Sequence, residues 1–490
     1  MPIDILTDNV LLEIFSFCIS GPFEFGDPCW HTRQWQTLVH VCQRWRGIIF
    51  ASPRWLNLHL TCSYGIPVRK NLVFWPITLP LIVDYDRFGG PITPEDEDNI
   101  VAALEHPSRV RYIDINGEAP LIKKVAITLR KSFPVLTGLE LGTSEDSVIP
   151  VVLSRRFLGG SAIQHLHHLH LTDISFPQLS SPLSSARNLL SLTIAEMPAN
   201  GYISPDAMVK SLATLTRLEH LYISFYEEIS PSDQWGSHTH PQTRTILPAL
   251  TDLNYDGRSE YLEEFLARID TPRVNSVKIE YSIHRIQALQ LSRFIERTEI
   301  VKIDPFTRAQ VYFSPDDSLL GLNRSQEAWT QGGFYLKIIG TVSFGVQVRV
   351  MMHLVGQLAA SVFSKVDDLF VHRDNRKQQS GGMGLTKFLR LFRLFPAVET
   401  LRLSGKLAVS VASALEDITE EMVTDLLPAL SMIRISECDN GYPEDKLDDA
   451  DDWMEEVGSM ERFLSLRQLS GCPVRVIHPK DELAEVEPIW

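Results

Sequence analysis

Apolar residues near the start of the chain recur at helical spacing, and from about residue 108 onward they switch to a shorter, strand-like beat. In LTDNVLLEIFSFC, Val10, Leu11, Ile14 and Cys18 fall on one helical face, and Phe15 and Phe17 widen that stripe. Thr7 or Asp8 can cap this helix, and the acidic Asp8 suits the positive end of its dipole. Gly21, Pro22, Gly26, Asp27 and Pro28 then break the chain. A second helix is predicted over His31–Phe50, with Trp35, Leu38, Cys42, Trp45 and Ile49 on one face and Val41 and Ile48 beside it. Ser52-Pro53 ends it, because proline disfavours helical geometry in the residue before it. Two short helices with stripes this wide cannot bury all of them against each other. Part must dock on the rest of the chain or on a partner.

The later beat is aliphatic-x-x-aliphatic-x-aliphatic. It is carried by Val110/Ile113/Ile115, Leu136/Leu139/Leu141, Leu166/Leu169/Leu171, Leu189/Leu192/Ile194 and Leu218/Leu221/Ile223. It continues in Leu250/Leu253/Tyr255, Val274/Val277/Ile279, Val366/Leu369/Val371, Val398/Leu401/Leu403 and Leu430/Ile433/Ile435. Apart from one longer gap, copies lie roughly 23–32 residues apart, which brackets the period of leucine-rich repeats. In such an array each unit lays down one short parallel strand, and its aliphatic residues are covered only by the next unit. Helices are expected between the strands at Leu121–Phe133, Leu262–Ile269, Leu291–Thr298, Leu385–Phe392 and Thr419–Leu427. The resemblance to leucine-rich repeats is loose, because the Asn or Cys that should follow the last aliphatic occurs once, as Cys438. The stretch 304–350 departs further. There AQVYFS and FYLKIIGTVSFGVQVRVMM alternate like strands, the second running on toward a helix, which predicts longer paired strands interrupting the array.

Residues 6–56 resemble the F-box, the helical module through which receptor subunits attach to the Skp adaptor of cullin-type ubiquitin ligases. The family pattern is matched by Leu6, Val10, Leu11, Ile14 and Phe15, and then, most specifically, by Val41, Cys42, Gln43, Arg44, Trp45 and Arg46. The continuation FASPRWL is similar to that of F-box proteins from mushroom-forming fungi. The chain departs from the pattern at Thr7 and Asn9, where the family has proline and glutamate, and in the Gly/Pro-rich insert Ser20–Pro28. The resemblance implies a Skp-type adaptor, and through it a cullin, as partners. It implies adaptor contacts at Leu6, Val10, Leu11, Ile14, Phe15, Val41, Cys42, Trp45 and Arg46. The expected fold is therefore α/β: an all-helical F-box-like module over residues 1–60, a linking segment and cap over 61–107, and an irregular leucine-rich-repeat-like solenoid over 108–490.

Composition narrows the partners. The 490 residues carry 46 basic against 61 acidic side chains, a net charge of −15, which argues against a nucleic-acid or anionic-membrane partner. The six cysteines form no CxxC pair and no small-domain framework, which suits reduced thiols. The start MPIDILTDN is acidic where a signal peptide is basic, and LVFWPITLPLIV is too short and too proline-rich to span a bilayer. The expected location is the cytoplasm, the nucleus or both.

HLHHLH (His165–His170) invites a metal, but Leu166, Leu169 and Leu171 belong to the repeat core, and no third ligand of fixed spacing accompanies His168 and His170. The acidic run Pro443–Glu456 lacks the ligand rhythm of a calcium loop, and GGMGLTK lacks the spacing of a phosphate-binding loop. There is neither GxSxG nor HExxH. The expectation is a non-enzyme without cofactor or metal. The remaining candidates are the outward residues between the last two aliphatics of each strand, which run from Asp114, Glu140, His170, Thr193 and Tyr222 to Lys278, Phe370, Arg402 and Arg434. Tyr222, Lys278, Phe370, Arg402 and Arg434 form the candidate recognition strip for a protein substrate, with an acidic or phosphorylated segment suiting the cationic end.

Overall fold

The structure, a computed structural model, describes residues 5–19, 35, 37–52, 55–56, 58–85, 91–143, 151–154, 156–160, 164–176, 183–226, 243–282, 286–298, 300, 305–324, 333–373, 386–416, 418–419, 423–436 and 460–477. It is a mixed α/β protein with two compact units, Met1–Gln234 and Trp235–Trp490. The insert Ser20–Pro28, Cys438, the glycine-rich segment 374–385 and the acidic run Pro443–Glu456 lie outside the described residues.

The first unit begins with helices α1 (Asp8–Ile19) and α2 (Gln43–Ala51). The single helix expected over His31–Phe50 is interrupted. Cys42 is fully extended (φ −159°, ψ 169°), and its sulfur accepts the Trp45 N–H at 3.4 Å, so it caps α2 instead of lying on an apolar face. Helical periodicity runs on through one extended residue, which is why the break is invisible to it. Ser52 closes α2 with its N–H on the Ile49 carbonyl.

Next come β1 (Leu60–Cys62), α3 (Val68–Asn71), β2 (Leu81–Tyr85), α4 (Pro94–Leu104), β3 (Val110–Gly117), α5 (Ala119–Thr128) and β4 (Gly138–Thr143). They are followed by β5 (His168–Thr172), β6 (Ser191–Met197), α6 (Pro205–Leu212) and β7 (His220–Phe225). Strands β1 to β7 lie side by side in chain order, every pair parallel. The array therefore starts at Leu60, before position 108, and residues 61–107 already contribute strands to it. The aliphatic beat sets the register: Ile113, Leu139, Leu169, Leu192 and Leu221 align, and so do Ile115, Leu141, Leu171, Ile194 and Ile223. All are buried, each stabilising the unit by roughly 1.5–3 kcal/mol relative to exposure. The helices form where local signals agree. Thr93 and Asp96 make a reciprocal capping box ahead of α4, and Ser204 caps α6 just before Pro205.

The second unit comprises β8 (Asp252–Gly257), α7 (Ser259–Leu266), β9 (Ser276–Ser282), α8 (Leu289–Arg297), β10 (Arg308–Phe313), β11 (Asp317–Asn323) and β12 (Gly333–Ile339). It continues through α9 (Phe344–Gln357), β13 (Asp368–Arg373), α10 (Thr386–Phe392), β14 (Thr400–Ser404), α11 (Gly405–Glu416), β15 (Met432–Ser436), α12 (Glu461–Leu469) and β16 (Arg475–Ile477). Strands β8 and β9 are parallel, as are β13 to β16. Between them the regular order breaks. β12 pairs parallel with β9, β11 pairs antiparallel with both β12 and β10, and β10 pairs parallel with β13. These are the longer paired strands that the alternation at 304–350 predicts. The expected strand beyond Ile339 is instead helix α9, and the middle strand DSLLGLN was not anticipated. Of the helix expected at Thr419–Leu427, residues 420–422 lie outside the described residues and Leu427 is not helical (φ 49°).

Candidate functional site

Three surfaces bear on function, and the helical pair is the first. Leu11 and Phe15 of α1 are buried inside the chain, Phe15 against Trp45 with ring centroids 4.8 Å apart. Arg44 fixes the start of α1 by donating to Asp8 Oδ1 at 2.7 Å and to the Leu6 carbonyl at 2.6 Å. The Arg46 Nε donates to the Val39 carbonyl at 3.0 Å. On the other side of α1, Val10 (44% exposed), Ile14 (41%) and Phe17 (80%) face outward, and Ile5 and Val41 are exposed as well. The expected adaptor residues thus divide. Val10, Ile14, Val41, Cys42 and Arg46 are exposed, Leu6 and Trp45 half-buried, and Leu11 and Phe15 enclosed. Phe17, which widens the apolar stripe in the sequence, is among the most exposed large apolar side chains described.

The second surface is the outward strand face of the first unit. Asp84, Asp114, Glu140, His170, Thr193 and Tyr222 stand in one row across β2 to β7, the register the aliphatic beat predicts. Gly138 lets the Tyr112 ring lie over it, since a Cβ there would collide with the ring, and the Tyr112 hydroxyl donates to Glu140. His170 Nδ1 is 3.3 Å from the other Glu140 oxygen, and its Nε2 is 3.0 Å from the Thr172 hydroxyl. Burial alone would raise the Glu140 carboxyl, but the hydrogen bonds from His170 and Tyr112 outweigh it and hold the group below its ordinary value. Burial, and then the neighbouring His167, depress His168. His168 and His170 do share this face, and among the described residues no group of three or more His, Cys, Asp or Glu could hold a metal ion.

The third surface is the outward face of the second unit. Its central row runs Asn254, Lys278, Tyr335, Gly321, Gln310, Phe370, Arg402 and Arg434 from β8 to β15. Phe370, Arg402 and Arg434 are neighbours as predicted. Lys278 occupies the same row but is separated from them by β12, β11 and β10. Asp368 Oδ2 accepts from Arg308 Nε at 2.9 Å and from Arg402 Nη2 at 2.8 Å, so one carboxylate holds two guanidinium groups. The Arg434 Nε lies 3.1 Å from the Met432 sulfur. Arg308 was not among the sequence candidates. It enters the site only because β10 pairs with β13 across the insertion, 60 residues away in sequence.

No protein-family model matches the chain, and no curated protein matches it. Among solved structures it is similar to a leucine-rich repeat-containing protein from Legionella pneumophila, at 12% identity, over 84% of this chain and 98% of that one, with a TM-score of 0.25. At that level the similarity carries no argument, and the repeat architecture rests on the strand registers above.

Proposed function

We propose that the chain is a protein-recognition subunit: the substrate receptor of a Skp–cullin–F-box ubiquitin ligase, acting in the cytoplasm, the nucleus or both. The helical module binds a Skp-type adaptor, and through it a cullin. The strand faces bind a protein substrate, with Tyr222 on the first unit and Lys278, Phe370, Arg402 and Arg434 on the second as contact residues. The chain itself performs no bond chemistry in this scheme; it contributes proximity. The observation that carries the reading is the outward apolar row Val10, Ile14 and Phe17 on a helix whose Leu11 and Phe15 are already buried inside the chain, Phe15 against Trp45. A soluble chain that leaves such a row open on a short helix leaves room for a partner helix.

A second reading is a repeat interaction scaffold with a degenerate F-box and no ligase role. It is favoured by Thr7 and Asn9, which replace the family proline and glutamate at the start of α1. Co-purification of a Skp-type adaptor with the full chain, compared with a chain lacking residues 1–60, separates the two. Recovery with the full chain alone supports the receptor. Absence of adaptor from a folded full chain leaves the scaffold.

A further inference from the structure

We propose that the outward face of the first unit holds an acyl-transfer site that opens small, uncharged carboxylic esters. Thr172 is its nucleophile, His170 the base and Glu140 a positioning residue. The inference goes beyond the receptor reading, which asks no bond chemistry of the chain, and it does not depend on adaptor binding.

Strand alternation assembles the groups. In HLHLT of β5, Leu169 and Leu171 turn inward, so His168, His170 and Thr172 stand together on the outward face. Glu140 lies directly beside His170 on β4. Both of its oxygens are engaged: one accepts the Tyr112 hydroxyl, and the other lies 3.3 Å from His170 Nδ1. A carboxylate at Nδ1 settles the tautomer, because that nitrogen then carries the proton and Nε2 keeps its lone pair. Nε2 is 3.0 Å from the Thr172 hydroxyl, which therefore donates to it. A hydroxyl on a base that a third group orients is the arrangement of an activated nucleophile, defined by contacts and not by chain order. The end of β5 is pinned behind the hydroxyl. There the buried Asp173 takes a left-handed backbone (φ 53°), accepts from the Thr143 hydroxyl and donates its N–H to the Ala195 carbonyl at 3.1 Å.

A donor for the developing oxyanion stands across a glycine. Gly142 aligns with Thr172 on one side and with Asn116 of β3 on the other. A Cβ at Gly142 would lie 3.2 Å from Asn116 Cγ and Oδ1, so that amide leans over the glycine toward Thr172. The Asn116 Oδ1 is buried with no hydrogen-bond partner among the described residues, so no bond of that oxygen fixes which way the amide faces. A substrate carbonyl above Gly142 has the hydroxyl on one side and the amide on the other.

In the reaction, Thr172 Oγ1 attacks the ester carbonyl carbon while its proton passes to His170 Nε2, and Glu140 stabilises the imidazolium. The tetrahedral oxyanion accepts from the Asn116 amide. It then collapses, the bond to the alcohol oxygen breaks, and His170 returns the proton to that oxygen. Water, with His170 again as base, splits the acyl-Thr172 ester into the acid and the free hydroxyl. The His170 and Glu140 side chains are 41 and 27% exposed, so water is not shut out, and a single oxyanion donor suits esters better than amides. Asp84 and Asp114 stand in the same row as Glu140, which disfavours phosphate esters and other anions.

The test offers p-nitrophenyl acetate and p-nitrophenyl phosphate to the full chain without adaptor. Release of p-nitrophenolate is followed by absorbance, and the acylated residue is located by peptide mass spectrometry after an acid quench. Turnover of the acetate ester, an acetyl group on Thr172 and no turnover of the phosphate ester are expected. Thr172→Val keeps the branched shape and should lose the acetyl-enzyme, and His170→Gln should slow release about hundredfold. Asn116→Ala should also cost about hundredfold. Glu140→Gln should lower kcat by about tenfold or more at unchanged KM, a split that a merely structural role would not produce. His165→Gln, at an exposed histidine outside the site, should change nothing. If Thr172→Val fails to fold, His170→Gln decides the matter. Release by the unaltered chain no faster than by folded Thr172→Val or His170→Gln overturns the inference. So does an acetyl group found on a residue other than Thr172, and equal turnover of the phosphate ester overturns the substrate class. Adaptor co-purification is scored separately, so loss of that activity does not touch this result.

Discussion

Phe15 and Phe17 sit two residues apart on α1 and should behave oppositely when replaced by alanine. Phe15 is fully enclosed and lies tilted against Trp45, ring centroids 4.8 Å apart. Truncating such a residue removes its transfer energy and leaves a cavity, a loss of about 3–5 kcal/mol. Phe17 is 80% exposed, so its truncation should change stability by no more than about 0.5 kcal/mol. If Phe17 enters a pocket on the adaptor, as an aromatic anchor does, its loss should weaken binding by about 2 kcal/mol, close to thirtyfold. The two effects are read by hydrogen exchange in α1 and α2 and by titration calorimetry with a purified Skp-type adaptor. Phe15→Ala should accelerate exchange throughout the helical pair, and Phe17→Ala should leave it unchanged while lowering affinity. Val10 and Ile14 should follow Phe17 with smaller losses. Replacing Leu11 together with Ile14 would mix the two effects, because Leu11 is inside and Ile14 is outside. Unchanged affinity in folded Phe17→Ala, Val10→Ala and Ile14→Ala variants would refute the assignment of this face to the adaptor.

Other consequences concern the two strand arrays. Arg467 is fully buried and donates to the carbonyls of Val423, Leu427 and Leu430, so Arg467→Met should cost several kcal/mol, at about 1–3 for each acceptor left dry, measured by chemical denaturation. Tyr112→Phe removes one of the bonds that lower the Glu140 carboxyl. Because that group is depressed in the folded state, its stabilising contribution is present above the ordinary glutamate value and lost as pH falls through the folded one. Carboxyl-carbon NMR should therefore show Glu140 titrating at higher pH in Tyr112→Phe, and an unmoved titration would mean the hydroxyl is immaterial. A chain ending at Ser282 strips β9 of its partner β12 and should aggregate, whereas the full chain should remain monomeric by light scattering.

The repeat core was readable because burial and register coincide in it. Leu139, Leu169, Leu192 and Leu221 are simultaneously the spaced aliphatics of the sequence and one aligned row of the sheet. Strands β1 and β2 escaped notice because LTC and LIVDY are wholly buried short runs, which show no alternation. The middle strand β11 escaped for a different reason. Its pairing is antiparallel and reverses the spatial order of β10 to β12, and nothing local in DSLLGLN records which neighbours it will meet. The same reversal hid Arg308, whose partner Asp368 lies 60 residues away in sequence. On α1, helical spacing identified the apolar stripe but could not divide it into the buried half, Leu11 and Phe15, and the half left outside.

That division gives the opening helices their mechanical meaning. Trp35 is buried, its ring meets Phe50 edge-on at 6.1 Å, and its indole N–H donates to the His59 carbonyl at 3.1 Å, one residue before β1 begins. Leu56 and Leu58, a few residues beyond α2, are buried as well. Trp35 thus ties the helical pair, through Phe50 of α2, to the segment that leads into the first strand of the array. In the receptor role proposed above, a flexible joint would spread a client over many positions relative to the enzyme that modifies it. The inner half of α1 and the tryptophans of the second helical segment serve that joint. The outer half stays free to take a partner without disturbing it, which is why one short stretch carries more apolar surface than its own fold consumes.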